Sequence, residues 1–269
     1  MRALKMNGTG NAFLLIDARQ GPVEIRAETI SRWRQECNFD QVLLLAPSEI
    51  GDARYRIWNC DASEVGACGN GARCAAWFLM RESGETTALL DTAYGLTQAR
   101  RVADFRVSVD LGPARTDWRD IPLAREMDTR ALDYTLTIGD LTVSQPGAVS
   151  MGNPHIVFDV PDLKGFPIEK LGRLAEHDAL FPERVNAGFM QVLDRSHIRL
   201  RVWERGAGLT KACGTGAAAA IVAGHRKGFL NRQCHVSVDG GELVSDWKDD
   251  NHVWLEGPVE LEGEVELDL

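Results

Sequence analysis

The sequence predicts a two-domain α/β protein whose halves repeat one plan: several strands plus one buried helix with a cysteine at its start. Three observations carry this. Ala67-Cys68-Gly69-Asn70-Gly71-Ala72 is matched by Ala212-Cys213-Gly214-Thr215-Gly216-Ala217. Each stretch runs into an apolar segment: Arg73 to Met80 and on to Gly84 in the first, Ala218 to Ala223 and on to Gly224 and Gly228 in the second. Basic residues followed by glycine close both, a helix C-terminus signal, and a helix apolar nearly all round is a buried one. Finally, the two cysteines are separated by about half of the 269-residue chain, which suggests duplication and a pseudo-two-fold axis. A ligand site is then expected in the cleft between the halves.

The elements read in order as follows. Leu4-Lys5-Met6 leads through the turn Asn7-Gly8-Thr9-Gly10-Asn11-Ala12 into a strand, Phe13 to Asp17. This glycine turn precedes a strand and opens no helix, so it is not a dinucleotide fingerprint. Ile25 to Cys37 has helical spacing, Val42 to Ala46 reads as an apolar strand, and Tyr55 to Asn59 alternates as a strand does. Thr86 to Thr92 and Phe105 to Leu111 read as strands, and Gly112-Pro113 with the polar stretch to Asp120 as a linker. In the second half Leu136 to Gln145 is strand-rich, Val149 to Phe158 is a tight turn feeding a strand, and Ile168 to His177 is helical. Val185 to Val192 and Ile198 to Trp203 alternate as strands, and the acidic-apolar tail from Val259 closes as another.

Composition narrows the class. A hydrophobic content of 44% with 26% charged residues is that of a globular protein. The net charge of −9 argues against a nucleic-acid partner, because phosphate contacts need basic surface. Met1 to Gly10 lacks the apolar core of a signal peptide, and the apolar run around Ala217 to Ala223 is far short of a bilayer span, so no membrane association is expected and the cytoplasm is the expected compartment. Six cysteines in a chain of this length do not make a disulfide scaffold, and their spacing is not that of a zinc site. Cys37, Cys60, Cys74 and Cys234 read as structural.

Chemistry concentrates at Cys68 and Cys213. A helix N-terminus offers unpaired N–H groups and partial positive charge, which lower a thiol pKa from ~8.5 to between roughly 3.5 and 7.5 and also hold a carboxylate. Two such ends put one thiol on each side of a bound carboxylate. Glu204 and Arg205 suit an ammonium and a carboxylate.

The ordered motifs resemble those of the diaminopimelate epimerase family over almost the whole chain. They are Gly8-x-Gly10-Asn11, Asn59-x-Asp61-x-Ser63-Glu64, Cys68 to Arg73, Gly152-Asn153-Pro154-His155, Asn186-x-Gly188-Phe189, Glu204-Arg205-Gly206-x-Gly208 and Ala212 to Gly216. The resemblance implies an α/β (α+β) fold of two pseudo-symmetric domains, each a mixed sheet wrapped around a central helix. The domains are 1–114 with a returning tail strand at 260–269, and 115–259. It implies interconversion of LL- and meso-diaminopimelate by catalytic Cys68 and Cys213, without pyridoxal phosphate, other cofactor or metal, in a homodimer. It assigns substrate contacts to Asn11, Gln41, Asn59, Gly69, Asn70, Asn153, Asn186, Glu204, Arg205, Gly214 and Thr215, with His155 and Glu204 tuning or supporting the thiols.

The chain departs from the family at Ala12, where aspartate is usual, at Asn7, where histidine is usual, and at Cys37-Asn38-Phe39 before Asp40. Ala12 is expected to remove a side-chain tie within the first loop. Other readings are a proline or histidine racemase or a phenazine-pathway-type isomerase of the same architecture, and a non-catalytic thiol protein.

Overall fold

The computed structural model describes residues 1–66 and 68–268. Ala67, the first residue of the first cysteine motif, and Leu269, the end of the tail, lie outside the described residues. The chain divides into two units, Met1–Asp110 with Glu256–Leu269, and Leu111–Leu255.

In the first unit β1 (Arg2–Gly8) and β2 (Asn11–Asp17) form a hairpin. Its two turn residues, Thr9 and Gly10, have φ of 55° and 82°. Positive φ at both positions is the turn pattern that matches strand twist. After α1 (Ala27–Glu36), β3 (Gln41–Ala46) runs parallel to β2, with Gln41 opposite Phe13. β4 (Ala53–Asn59) pairs antiparallel with β3, with Asn59 opposite Gln41, and β5 (Glu64–Val65) folds back on β4. Then come α2 (Gly69–Ser83), β6 (Thr87–Thr92) parallel to β4, β7 (Gly95–Ala103) and β8 (Arg106–Pro113).

Phe13 to Ile16 and Val42 to Leu45 are buried without alternation, as in strands covered on both faces. One cover is α1, whose Ile30 and Trp33 pack on Leu14, Ile16, Val42, Leu44 and Trp58. The other is α2, which packs on β1, β2, β3, β6 and β7 and buries every residue from Asn70 to Trp77. It ends where Gly84, at φ 78°, donates its N–H to Met80 O.

The second unit opens with the small hairpin β9 (Thr135–Ile138) and β10 (Leu141–Ser144). It then repeats the plan. β11 (Gly147–Ser150) pairs antiparallel with β12 (Pro154–Asp159), α3 (Ile168–Glu176) follows, and β13 (Asn186–Asp194) runs parallel to β12 with Asn186 opposite His155. β14 (His197–Glu204) pairs antiparallel with β13, and β15 (Gly208–Leu209) folds back on β14. α4 (Gly214–Arg226), β16 (Gln233–Val238) parallel to β14, and β17 (Gly241–Trp247) complete the repeat. β18 (His252–Pro258) follows, and β19 (Glu260–Glu266) pairs antiparallel with β1. α4 is buried from Gly216 to Gly224 and packs on β11 to β14, β16 and β17, while α3 covers the other face with Ile168, Leu171 and Ala175.

Two expectations are corrected. The stretch from Gly112 to Asp120 is no free linker: Gly112 and Pro113 end β8, Ala114 is buried, and Arg115 bridges Ser150. Gly224 lies inside α4, where the side chain of Leu230 fills the space a Cβ would take; Gly228, at φ 81°, follows the helix end.

Candidate active site

In the first unit Cys68 is the N-cap of α2, with extended backbone (φ −149°), and its Sγ accepts the Gly71 N–H at 3.4 Å. Gly71 is required by close packing: a Cβ there would stand 2.5 Å from the Tyr55 hydroxyl and 2.9 Å from Leu43 Cδ2. That hydroxyl donates to Cys68 O at 3.4 Å, which fixes the cap from below. Asn70 is buried and donates through Nδ2 to Asn11 Oδ1 at 2.7 Å. Gln41 donates to Asn59 Oδ1 at 2.9 Å, and Asn59 donates to the Ser63 hydroxyl at 3.0 Å. Asn11 begins β2, Gln41 begins the parallel β3, and Asn59 ends the antiparallel β4, so all three stand at one end of the sheet.

The expected loose end at Ala12 is absent. Its N–H donates to Asp40 Oδ2 at 2.9 Å and its carbonyl accepts from Asp40 N at 2.8 Å, while Asn7 Oδ1 accepts the Gly10 N–H at 2.9 Å. The loop is tied by Asp40 and Asn7 instead of by a side chain at position 12.

The second unit supplies the counterpart set at the equivalent strand ends. Asn153 donates to Thr215 Oγ1 at 3.2 Å. His155 Nε2 lies 3.1 Å from Asn153 Oδ1 and 3.0 Å from Thr215 Oγ1, and that hydroxyl is 3.6 Å from Cys213 Sγ. Asn186 donates to Pro154 O at 2.8 Å and accepts the Arg205 N–H at 2.9 Å, which joins three segments at one point. Arg205 Nη1 donates to Glu183 O at 2.8 Å. The Glu204 carboxylate accepts the Thr210 hydroxyl at 2.5 Å and a hydrogen bond from the Cys213 thiol. Gly69 and Gly214 are the first residues of α2 and α4.

The two cysteines differ. Cys68 is half-buried and accepts an N–H. Cys213 is buried, with the Thr215 hydroxyl 3.6 Å from its Sγ. Burial pushes its thiol well above the ordinary 9.0, the Glu204 carboxylate pushes it further, and the Thr215 hydroxyl and Gly216 N–H only oppose this. The expectation of a thiol lowered by the helix start is therefore overturned for Cys213: desolvation and a neighbouring anion outweigh the helix end. Burial also raises Glu204. His155 is fully buried, and burial, then the Arg205 charge, lowers it to about 3, so it is neutral at working pH. Its Nε2 contacts are with Thr215 and Asn153.

Two residues stand beside these sets: Arg73, quoted above within a motif but without a role, and Glu176, not singled out from the sequence. Arg73 is fully buried on α2 and reaches Thr9 Oγ1 and Asn70 Oδ1. Its signal is an arginine on an otherwise apolar helix. Glu176, at the end of α3, accepts from Trp203 Nε1 at 2.7 Å and from Gly206 N at 2.8 Å, which braces the Glu204-Arg205 turn. The large hollow of about 740 Å³ lined by Arg226, Lys227, Asp159 and Phe166 lies at the far end of α4 and includes none of these residues. Among the described residues no helix is long and apolar enough to cross a membrane, and no three His, Cys, Asp or Glu side chains gather as a metal site.

The fold is shared with solved enzymes of the racemase and epimerase class. A hydroxyproline epimerase from Agrobacterium vitis, with bound trans-4-hydroxy-L-proline, superposes with a TM-score of 0.66 at 18% identity, over 98% of this chain and 90% of that one. A PhzF-family phenazine biosynthesis protein from Bacillus anthracis superposes with a TM-score of 0.68 at 13% identity, over 100% of this chain and 99% of its own. At these identities the likeness is one of fold. The family follows from sequence: the diaminopimelate epimerase family model matches residues 3–116 and 147–262, and the chain belongs to that family. A diaminopimelate epimerase from Phenylobacterium zucineum (strain HLK1) is 48% identical over 267 residues, 98% of this chain and 96% of that protein. The chain is thus an epimerase.

Proposed function

We propose that the chain interconverts LL- and meso-diaminopimelate, an amino acid of lysine and cell-wall precursor synthesis, by proton transfer between Cys68, Cys213 and the substrate α-carbon, with no cofactor. The observation that carries this reading is the repeat itself. In each unit the same strand order delivers a cysteine to the first position of a buried helix, with polar side chains at equivalent strand ends: Asn11, Gln41 and Asn59 in one, Asn153, Asn186 and Glu204 in the other.

The chemistry follows from these groups. One thiolate removes the α-proton from one face while the other thiol donates a proton to the opposite face. The stereocentre inverts and the proton-bearing sulfur changes identity, so the reverse reaction uses the same groups. Burial and Glu204 oppose ionisation of Cys213, and Cys68 Sγ accepts the Gly71 N–H. The carbanion charge spreads into the substrate carboxylate. The N–H groups at Gly69-Asn70 and Gly214-Thr215 are helix-start donors suited to that charge. Glu204 and Arg205 supply an acceptor for an ammonium and a fork for a carboxylate.

The test is incubation with LL-diaminopimelate in heavy water. The expected result is α-deuterium uptake with formation of the meso isomer, lost in Cys68→Ala and in Cys213→Ala and kept in Cys60→Ala. Exchange on proline in place of diaminopimelate, or turnover that survives loss of either cysteine, overturns the assignment. Turnover is assayed in cytosolic extract and across a gel-filtration peak to test the proposed cytoplasmic, dimeric enzyme.

A further inference from the structure

Arg73 is a fully buried cation with no carboxylate beside it among the described residues. Its Nη2 donates to Thr9 Oγ1 at 2.7 Å and to Asn70 Oδ1 at 2.9 Å. Its Nε and Nη1 are buried without a hydrogen-bond partner among the described residues. Burying an incompletely paired guanidinium is unfavourable, and an apolar residue or a neutral amide on α2 avoids that penalty. What the guanidinium supplies, and an apolar residue or an amide does not, is a group that donates and never accepts.

That property matters because the next two groups are amides. An amide is nearly symmetric in shape and presents oxygen on one side and NH2 on the other. A donor-only neighbour forces Asn70 to turn Oδ1 toward Arg73. Asn70 Nδ2 then points to Asn11, which must turn its own Oδ1 inward to accept at 2.7 Å. Asn11 Nδ2 is left directed away from this chain of bonds, as a donor. Arg73 also holds the hydroxyl of Thr9, a β-branched residue at φ 55°, a backbone conformation that such residues rarely adopt. We propose that Arg73 is a positioning residue that sets the amide polarity of Asn70 and, through it, of Asn11, so that Asn11 offers N–H donors to the substrate carboxylate. This rests on the assignment of Asn11 to substrate made above.

The test uses the full chain and the variants Arg73→Lys, Arg73→Gln and Asn70→Asp. Lysine donates only, and it keeps KM for LL-diaminopimelate within about threefold of wild type. Glutamine both donates and accepts, so the polarity is lost and KM rises about tenfold or more, with kcat changed less than KM, as expected for one lost hydrogen bond to a charged group. Asn70→Asp retains a partner for Arg73 and the melting temperature, but a carboxylate accepts on both sides. Asn11 must then flip to donate inward, and KM rises by a similar factor. A substrate-free readout accompanies these: in 15N-labelled wild-type protein the Asn70 side-chain amide protons are protected from exchange and those of Asn11 are not, and Asn70→Asp reverses this for Asn11. An unchanged KM in Arg73→Gln or Asn70→Asp, a fall in kcat alone, or an Asn11 amide protected in wild type overturns the inference. A wild-type chain that shows this amide pattern but no deuterium uptake on diaminopimelate refutes the functional assignment and leaves the relay standing.

Discussion

His155 Nε2 stands 3.0 Å from Thr215 Oγ1, and that hydroxyl lies 3.6 Å from Cys213 Sγ, so a neutral, fully buried imidazole is one residue removed from the thiol. The neutrality has a consequence for stability. Burial, then Arg205, lowers the folded-state value to about 3, against an ordinary 6.5. The unfolded chain therefore takes up a proton at His155 that the folded chain refuses. Stability at this site is complete above pH 6.5 and falls as pH drops from there toward 3. In His155→Asn, which keeps a polar side chain on Thr215, thermal melts between pH 7 and pH 4 lose a part of the acid sensitivity seen in wild type. An NMR titration in which the His155 ring protonates near pH 6.5 refutes the neutral assignment.

Glu204 is predicted to temper the reactivity of Cys213. Burial is the larger influence on this thiol, and the carboxylate adds to it. Glu204→Gln removes the charge while keeping a polar partner for Thr210, and it lowers the Cys213 pKa. The expected result is faster alkylation of Cys213 by iodoacetamide at pH 8, followed by peptide mapping, with Cys74 unreactive in both proteins because burial pushes that thiol to about 12. The same substitution lowers turnover. Slower alkylation of Cys213 in the variant contradicts a carboxylate that opposes thiol ionisation.

The two helix starts are legible in the sequence because their chemistry is local: a cysteine, two glycines and an apolar run lie within a dozen residues of each other. The strands β2 and β3 are legible for the same reason, as continuous apolar runs. β7 is not, because only Ala99 in it is buried and no apolar alternation marks it. The stretch from Gly112 to Asp120 reads as a linker because its polar residues dominate, yet Ala114 is buried in it and Arg115 bridges Ser150. The thiol of Cys213 departs from expectation because its pKa depends on burial and on Glu204, neither visible from the helix alone. Ala12 departs because its partner, Asp40, lies on a different strand connection.

Gly71 is predicted to be irreplaceable for packing, not for backbone conformation. A Cβ at this position meets the Tyr55 hydroxyl at 2.5 Å and Leu43 Cδ2 at 2.9 Å, both in the buried core beneath the cap. Gly71→Ala should destabilise the protein by about 1–3 kcal/mol through overpacking. It should also displace Cys68, whose Sγ takes the Gly71 N–H, and lower kcat more than Cys60→Ala does. Adding Tyr55→Phe removes the nearest clashing atom and recovers part of the stability. Denaturant titration of the single and double variants checks this; a double variant less stable than the sum of the two single changes refutes the clash.

Glu176 is predicted to act at a distance on substrate binding. Its buried carboxylate accepts from the Trp203 indole at 2.7 Å and from Gly206 N at 2.8 Å, with Arg184 Nη1 at 3.4 Å and His177 Nε2 at 3.9 Å beside it. These bonds bracket Glu204 and Arg205, so the turn that carries both is held by a residue that touches neither. Burial by itself raises the Glu176 pKa, but the hydrogen bonds from Trp203 and Gly206, with His177 and Arg184, bring it below the ordinary 4.5. A depressed carboxylate stabilises the fold above its unfolded value and loses that contribution as pH falls through the folded value. Glu176→Gln replaces one acceptor with an NH2 group that opposes a donor, at a cost of about 1–3 kcal/mol. The expected outcome is a melting-temperature deficit that is largest at neutral pH and narrows below pH 4.5, with KM for diaminopimelate raised and the thiol chemistry of Cys213 retained. Glu176→Asp, which keeps the charge on a shorter arm, recovers a part of both losses. A deficit that stays constant from pH 7 to pH 3.5, or a KM equal to wild type, removes Glu176 from this role.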